Sequence, residues 1–303
     1  MATPSLLMIP SGTKAGKLYS VLPEDGTGDF TVSRNSVANR VNSAGLLESM
    51  AVNVPRLDYS DGVCPALLTE PQSTNLITYP LSFDNAYWTK SGATVVGGQA
   101  SPSVDYPTSA FKLVESSANE QHRLDRSGLT VLGGSSVTCS IFAKKGERNW
   151  IILYEAESGK GYYFDLVNGV KGTHFIAAPE SYSIEAVGSY WKISITSAVP
   201  STSARFIVYN AKQDGEISYQ GDGTSGVYIF GAQLEALSYP TSLIYNGTEG
   251  AQVTRLQDEV TVTPPVGVTS IVETIDEVDQ TPITVIPVTY TVPFGNINKI
   301  IMT

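Results

Sequence analysis

Two neighbouring stretches, Ser136-Val-Thr-Cys-Ser-Ile-Phe-Ala143 and Asn149-Trp-Ile-Ile-Leu-Tyr-Glu155, decide the fold. In the first, Val137, Cys139, Ile141 and Ala143 fall on one side of an extended chain, because successive side chains of a strand point to opposite faces. In the second, Trp150, Ile152 and Tyr154 share one side while Ile151 and Leu153 share the other. Both faces are then apolar, and the strand reads as central or covered.

Outward from these two, Tyr162 to Leu166, Tyr182 to Val187, Tyr190 to Thr196, Arg205 to Asn210 and Val227 to Glu235 repeat the mixture of β-branched and aromatic residues. Their spacing of about ten residues is that of a sandwich or barrel. Asn168-Gly169, Asp214-Gly215 and Asn246-Gly247 supply the left-handed backbone that tight corners need. The prediction is an all-β protein built on an antiparallel β-sandwich, a jelly roll. Residues 76–250 carry it. Residues 1–75, irregular and rich in Asn, Ser and Pro, read as an extended N-terminal anchoring region. Residues 251–303 read as a C-terminal β-rich arm for attachment or oligomerisation. Prolines in Thr261-Val-Thr-Pro-Pro265 and Thr281-Pro-Ile-Thr-Val-Ile-Pro-Val-Thr-Tyr290 exclude a helix there.

Only 16% of the 303 residues are charged, the net charge is −10 and the pI is about 4.7. Such a surface offers phosphate no basic patch, which argues against nucleic acid and anionic membrane as partners. The start, Met1-Ala-Thr-Pro-Ser-Leu-Leu-Met-Ile-Pro10, lacks the basic region of a signal peptide, and no run reaches the ~20 apolar residues of a membrane-spanning helix. His122 and His174 are the only histidines, and Cys64 and Cys139 the only cysteines. That is too little for clustered imidazole chemistry, a zinc site or a disulfide framework, although a single disulfide stays open.

Motifs that touch on chemistry lose it in context. Gly221-Asp-Gly-Thr-Ser-Gly226 has dinucleotide-binding spacing, but Val227-Tyr-Ile-Phe230 after it is strand-like, whereas pyrophosphate binding needs a helix N-terminus. Gly12-Thr-Lys-Ala-Gly-Lys17 is one residue short of a phosphate loop, and Leu18 stands where a hydroxyl would hold magnesium. Asp25-Gly-Thr-Gly-Asp29 lacks EF-hand spacing and reads as a turn, with a structural calcium left open. Asn246-Gly247-Thr248 fits a glycosylation acceptor and is read as a turn. Glu155, Glu157 and Asp165 lie near aromatic residues, yet sequence gives no separation for a hydrolytic pair. No catalytic residue, metal ligand or cofactor is assigned. The aromatic residues remain: flat rings stack on sugars and also fill cores. Trp191, alternating with Ile193 and Ile195, reads as buried, while Trp150, Tyr154 and Tyr162 are the candidate glycan-binding residues.

A longer pattern runs through the N-terminal third. Asp29-Phe-Thr-Val-Ser-Arg-Asn-Ser-Val-Ala-Asn-Arg-Val-Asn42 is followed by Gly45-Leu-Leu-Glu48 and Val54-Pro-Arg-Leu-Asp-Tyr59. Cys64-Pro-Ala-Leu-Leu-Thr-Glu-Pro-Gln-Ser-Thr-Asn-Leu-Ile-Thr-Tyr79 and Phe83-Asp-Asn-Ala-Tyr-Trp-Thr-Lys90 continue it. In order and composition the block resembles one found in tail- and head-fibre proteins of tailed bacteriophages. Tyr190-Trp-Lys-Ile-Ser-Ile-Thr196, Val227-Tyr-Ile-Phe-Gly-Ala-Gln-Leu-Glu235 and Tyr239-Pro-Thr-Ser242 resemble the closing strands of carbohydrate-binding-like jelly rolls in phage proteins. Ile271 to Met302 resembles C-terminal segments of virion proteins.

The resemblance implies a virion location, docking to capsid or tail proteins and a homotrimer. It implies a head- or tail-fibre or decoration component that adheres to surface glycans, and it supplies no catalytic or sugar-binding motif residue by residue. Two alternatives stay open: a tail receptor-binding protein for one host polysaccharide, and a capsule-degrading hydrolase or lyase.

Overall fold

The computed structural model describes residues 4–303, and its regular elements are all strands. The chain divides into two compact units, one formed by Met1–Ser73 with Thr254–Thr303 and the other by Thr74–Val253.

The Thr74–Val253 unit is a jelly-roll sandwich. Its larger sheet runs, edge to edge, through Thr89–Ser91, Asn119–Thr130, Ser203–Ala211, Trp150–Glu155, Lys160–Asp165 and Val170–Ile176, with Ser218–Gln220 also paired to Asn119–Thr130. The other sheet runs through Ala93–Gln99, Ala110–Glu115, Gly226–Glu235, Ser136–Lys145, Tyr190–Ala198 and Ser181–Val187. Pairing within both is antiparallel. Val137, Cys139, Ile141 and Ala143 point inward, as their alternation requires, and meet Leu124, Ile151, Leu153, Phe206 and Val208 of the facing sheet. Burial of these side chains drives the two layers together, at roughly 1.5–3 kcal/mol for each large apolar group.

Every stretch read as a strand is one, with ends shifted by a residue or two. Asn168-Gly169 turns the hairpin between Lys160–Asp165 and Val170–Ile176, with Gly169 at φ 63°. Asp214-Gly215 turns between Gln213 and Glu216, which bridge, whereas Asn246-Gly247 lies in a bend outside any hairpin. The glycine-rich 221–226 segment is a loop in which Asp222 accepts from the N–H groups of Thr224 and Ser225, both at 2.7 Å.

Of what the sequence presents as two flanking segments, 1–75 and 251–303, all but residues 74–75 and 251–253 fold together as the second unit. Gly295–Met302 pairs with Leu6–Met8, Ala66–Thr69 and Ile271–Ile275, and Glu259–Val262 pairs with Phe30–Ser33 and Tyr290–Thr291. These strands are short and pack around an apolar core that includes Leu6, Met8, Phe30, Ile271 and Ile300, with a cluster of buried charge in the same unit. Asp258 receives Arg34 Nη1 at 2.9 Å and, on its other oxygen, Arg56 Nη2. Glu70 receives Arg56 Nη1 at 2.5 Å and Arg255 Nη1 at 2.9 Å. Burial favours the neutral form of Arg34 and draws its guanidinium below the ordinary value despite Asp258. In Arg56 the two carboxylates outweigh burial and raise it. Arg34, Arg56 and Glu70 lie within residues 29–95, so charged residues of that stretch have structural partners here. The Gly12 to Lys17 segment is a hairpin between Thr13–Lys14 and Lys17–Leu18.

Candidate functional site

The outer face of the larger sheet carries two of the residues picked from the sequence, Trp150 and Tyr154. Trp150, Ile152 and Tyr154 lie on it because Ile151 and Leu153 are committed to the interior. Register then places their neighbours. Ile152 stands between Tyr163 and Tyr209, and Tyr154 between Gly161 and Ile207. Beyond them, Arg123 stands opposite Tyr209 and Asp125 opposite Ile207. Ser91 and Thr89 stand opposite Arg123 and Asp125 at the sheet edge. One half of the face is therefore aromatic and the other is charged and hydroxylated.

The aromatic half is closely packed. Phe175 stands edge-on to Tyr154 at 4.9 Å and lies 5.7 Å from Tyr209 and 6.2 Å from Tyr163. It closes over the position of Gly161, where a Cβ would come within 2.7 Å of the Leu153 carbonyl oxygen. Tyr154 and Tyr209 keep only 7% and 4% of their surface, so Trp150 and Phe175, both half-buried, are the rings still open to contact. Burial, with Tyr209 alongside, pushes the Tyr154 phenol above its usual value, and burial followed by Asp214 does the same to Tyr163. Both hydroxyls stay protonated and able to donate through the neutral range. Asp214 fixes the neighbouring loop, accepting from the Thr173 N–H at 2.9 Å and the Thr173 hydroxyl at 2.8 Å.

In the charged half, Arg205 directs Nε and Nη2 at Asp125 Oδ2, at 3.1 and 2.8 Å. Arg123 Nε lies 3.6 Å from Asp125 Oδ1, and its guanidinium carbon is 5.9 Å from the centre of the Tyr209 ring. Asp125 is buried beneath the two arginines, while their side chains are about one-third exposed: 30% for Arg123 and 32% for Arg205.

Of the three residues picked from sequence, Trp150 and Tyr154 come together and Tyr162 does not join them. Its side chain turns to the opposite side of the sheet and packs against the sandwich interior. There it meets Tyr182 at 5.5 Å, with Lys171 Nζ 5.0 Å from one ring and 5.3 Å from the other. The reason is parity: Tyr163, one residue on, pairs with Ile152 and takes the outer face instead. Sequence reading missed Tyr209 and Arg205, although both alternate with Ile207 in a strand it recognised. It also missed Arg123 and Asp125, because the polar run Asn119–Thr130 shows no apolar alternation.

Of the three carboxylates singled out, Glu155 and Asp165 have structural partners, whereas the Glu157 side chain makes no ion pair among the described residues. Glu155 is fully buried and accepts from the N–H groups of Ser158 at 2.6 Å, Arg205 at 2.9 Å and Glu157 at 3.2 Å. Asp165 caps the turn through the Val167 N–H at 2.8 Å and the Asn168 amide at 2.7 Å. Neither is placed as a free acid facing an open cleft. His122 is buried with its ring nitrogens on the carbonyls of Gly92, at 2.7 Å, and Tyr219, at 3.2 Å. Asp25 holds Thr27, and Asp29 holds Lys17 and Ser20, so the proposed turn is satisfied internally. Among the described residues no three His, Cys, Asp or Glu side chains gather as metal ligands, and both cysteines are free thiols. No described helix is long and apolar enough to cross a membrane.

No family model matches the chain, and neither does any curated protein. Among solved structures it is similar to the enzymatically active domain of tailspike protein 4 of bacteriophage CBA120, with 15% identity over 53% of this chain and 21% of that one, at a TM-score of 0.34. It is also similar to the CBM22-1 xylan-binding domain of Paenibacillus barcinonensis Xyn10C, with 13% identity over 55% of this chain and 94% of the other, at 0.31. A third is CBM35 from Paenibacillus barcinonensis, with 13% identity, 50% and 94% coverage, and a TM-score of 0.24. The chain spans about a fifth of the tailspike chain it matches. At scores this low the likenesses carry no functional argument; the fold rests on the sheet topology itself.

Proposed function

We propose that the chain is a structural component of a tailed-phage virion whose jelly roll adheres to surface glycans through the outer face of its larger sheet. The observation that carries this reading is the pairing of half-open rings, Trp150 and Phe175, with Arg123, Asp125 and Arg205 on one sheet face. A saccharide presents apolar C–H patches and hydroxyls together, and a site for it needs ring surface beside polar groups. The phage-like block in residues 29–95 supports the virion assignment.

In this reading the Met1–Ser73 and Thr254–Thr303 unit docks to a capsid or tail protein, and the chain assembles as a homotrimer. Many shallow sites on one particle then bind with an avidity that none has alone. Immunogold electron microscopy with antibody against residues 76–250 tests the location. Label on capsid or tail supports the assignment, and a bare virion contradicts it. Light scattering coupled to size exclusion tests the trimer. Titration of the chain with a panel of bacterial surface polysaccharides tests adhesion, with saturable binding expected and its absence across the panel counting against the site.

The second expectation, a capsule-degrading enzyme, has less support because Glu155 and Asp165 are engaged as backbone caps. Release of new reducing ends or unsaturated products from host capsule would revive it.

A further inference from the structure

We infer that the saccharide taken by the outer face is acidic, a sugar carrying a carboxylate that Arg123 receives; the inference rests on the glycan-binding reading of that face. Two guanidiniums there share one carboxylate. Arg205 saturates Asp125 Oδ2 through Nε and Nη2. Arg123 is left at 3.6 Å from Oδ1, close enough to feel its charge and too far to donate a hydrogen bond. Among the described residues the Arg123 guanidinium donates no hydrogen bond, and Asp125 Oδ1 likewise has no donor. Glu157, another carboxylate close enough to act on Tyr154, makes no ion pair among the described residues.

Two arginines facing a single carboxylate, one of them without a hydrogen-bonded partner among the described residues, stand here beside ring surface in a chain of net charge −10. The Tyr209 ring centre lies 5.9 Å from the Arg123 guanidinium carbon and the Arg123 Nε is buried, while the side chain as a whole is partly exposed, which leaves the terminal Nη fork to meet a ligand. Such a fork matches the two oxygens of a carboxylate. A neutral sugar would leave those donors to water. Ser91 and Thr89, on the edge strand in register with Arg123 and Asp125, add hydroxylated residues beside them.

The test is affinity electrophoresis of the full chain in gels containing polygalacturonate, alginate or hyaluronate, fully methyl-esterified polygalacturonate, a neutral polysaccharide panel, and dextran sulfate. At least one polyuronate is expected to retard the chain about tenfold more strongly than the methyl ester or the neutral polymers, the loss typical of one charged hydrogen-bonded contact. Arg123→Gln should remove that preference with unchanged circular dichroism, and Arg123→Lys should keep part of it. Equal retardation by acid and ester, or retention of the preference in Arg123→Gln, would overturn the inference while leaving glycan binding standing. Retardation by dextran sulfate equal to that by the polyuronates would show a generic anion site and overturn the carboxylate assignment. Retardation by no saccharide at all would overturn the glycan-binding reading and the inference together.

Discussion

The two faces of the larger sheet, carried by the same strands, are built to different rules. Inward, Leu124, Ile151, Leu153, Phe206 and Val208 are fully buried and wholly apolar. Outward, Arg123, Asp125, Trp150, Tyr154 and Tyr209 mix rings with a partly exposed ion pair. Stability alone accounts for the first, because apolar area removed from water is sufficient to hold two sheets together. It does not call for a buried carboxylate beneath two arginines on the second, where solvent screening leaves an ion pair worth little. The contrast teaches that burial between the sheets accounts for the inner face, while the outer face keeps partly exposed rings and arginines that such burial does not explain.

Mutation should separate the faces. Phe206→Ala on the inner face is expected to cost about 3–5 kcal/mol in denaturant unfolding, from lost transfer energy and the cavity left behind. A cost below about 1 kcal/mol would break the distinction between faces. Asp125→Ala on the outer face should cost less, roughly 1–3 kcal/mol, through the hydrogen bonds Arg205 loses.

A pH titration sharpens the contrast from within the sandwich, since Leu124, Ile151, Leu153, Phe206 and Val208 carry no titratable group. One acid-sensitive part of the sandwich is the knot around the buried Glu115, which shares strand parity with Phe111 and Leu113 of the interior. Burial opposes ionisation there, but Arg148, the Tyr219 hydroxyl and the Asp222 N–H outweigh it and hold the carboxyl below its ordinary value of 4.5. A folded value below the unfolded one means stability present above the unfolded pKa and lost as pH falls through the folded one. Melting temperatures of the wild type should drop as pH falls below about 4.5, and Glu115→Gln should start lower and flatten that dependence. Smallest of all, Trp150→Ala should change stability by about 1 kcal/mol or less, since its ring is only half-buried and lies outside the interior cluster.

The sandwich was largely legible because alternation at Ser136–Ala143 and Asn149–Glu155 reports sheet burial directly. Asn119–Thr130 escaped since one of its faces is solvated and charged, and the apolar residues on the other, Leu124 and Leu129, are too sparse to set a period. The flanking unit was hidden for a different reason. Its strands are two to eight residues long and pair segments more than two hundred residues apart, as Phe30–Ser33 does with Glu259–Val262. Its buried charges, Arg34, Arg56, Glu70, Arg255 and Asp258, look like surface residues in a sequence. In the site, Trp150 and Tyr154 were readable from strand parity. Tyr162 was separated from them because hairpin register, invisible in composition, put Tyr163 on the outer face in its place.

The most direct test of the central claim compares the two aromatic clusters in one experiment. Binding of a bacterial surface polysaccharide to the wild type, Trp150→Ala and Tyr182→Ala is measured by titration on proteins of matched circular dichroism. The outer-face account predicts about tenfold or greater weakening in Trp150→Ala, as for an aromatic anchor, with wild-type affinity in Tyr182→Ala. Undiminished binding by Trp150→Ala, with loss in Tyr182→Ala, would contradict it and move the site to the side where Tyr162 lies.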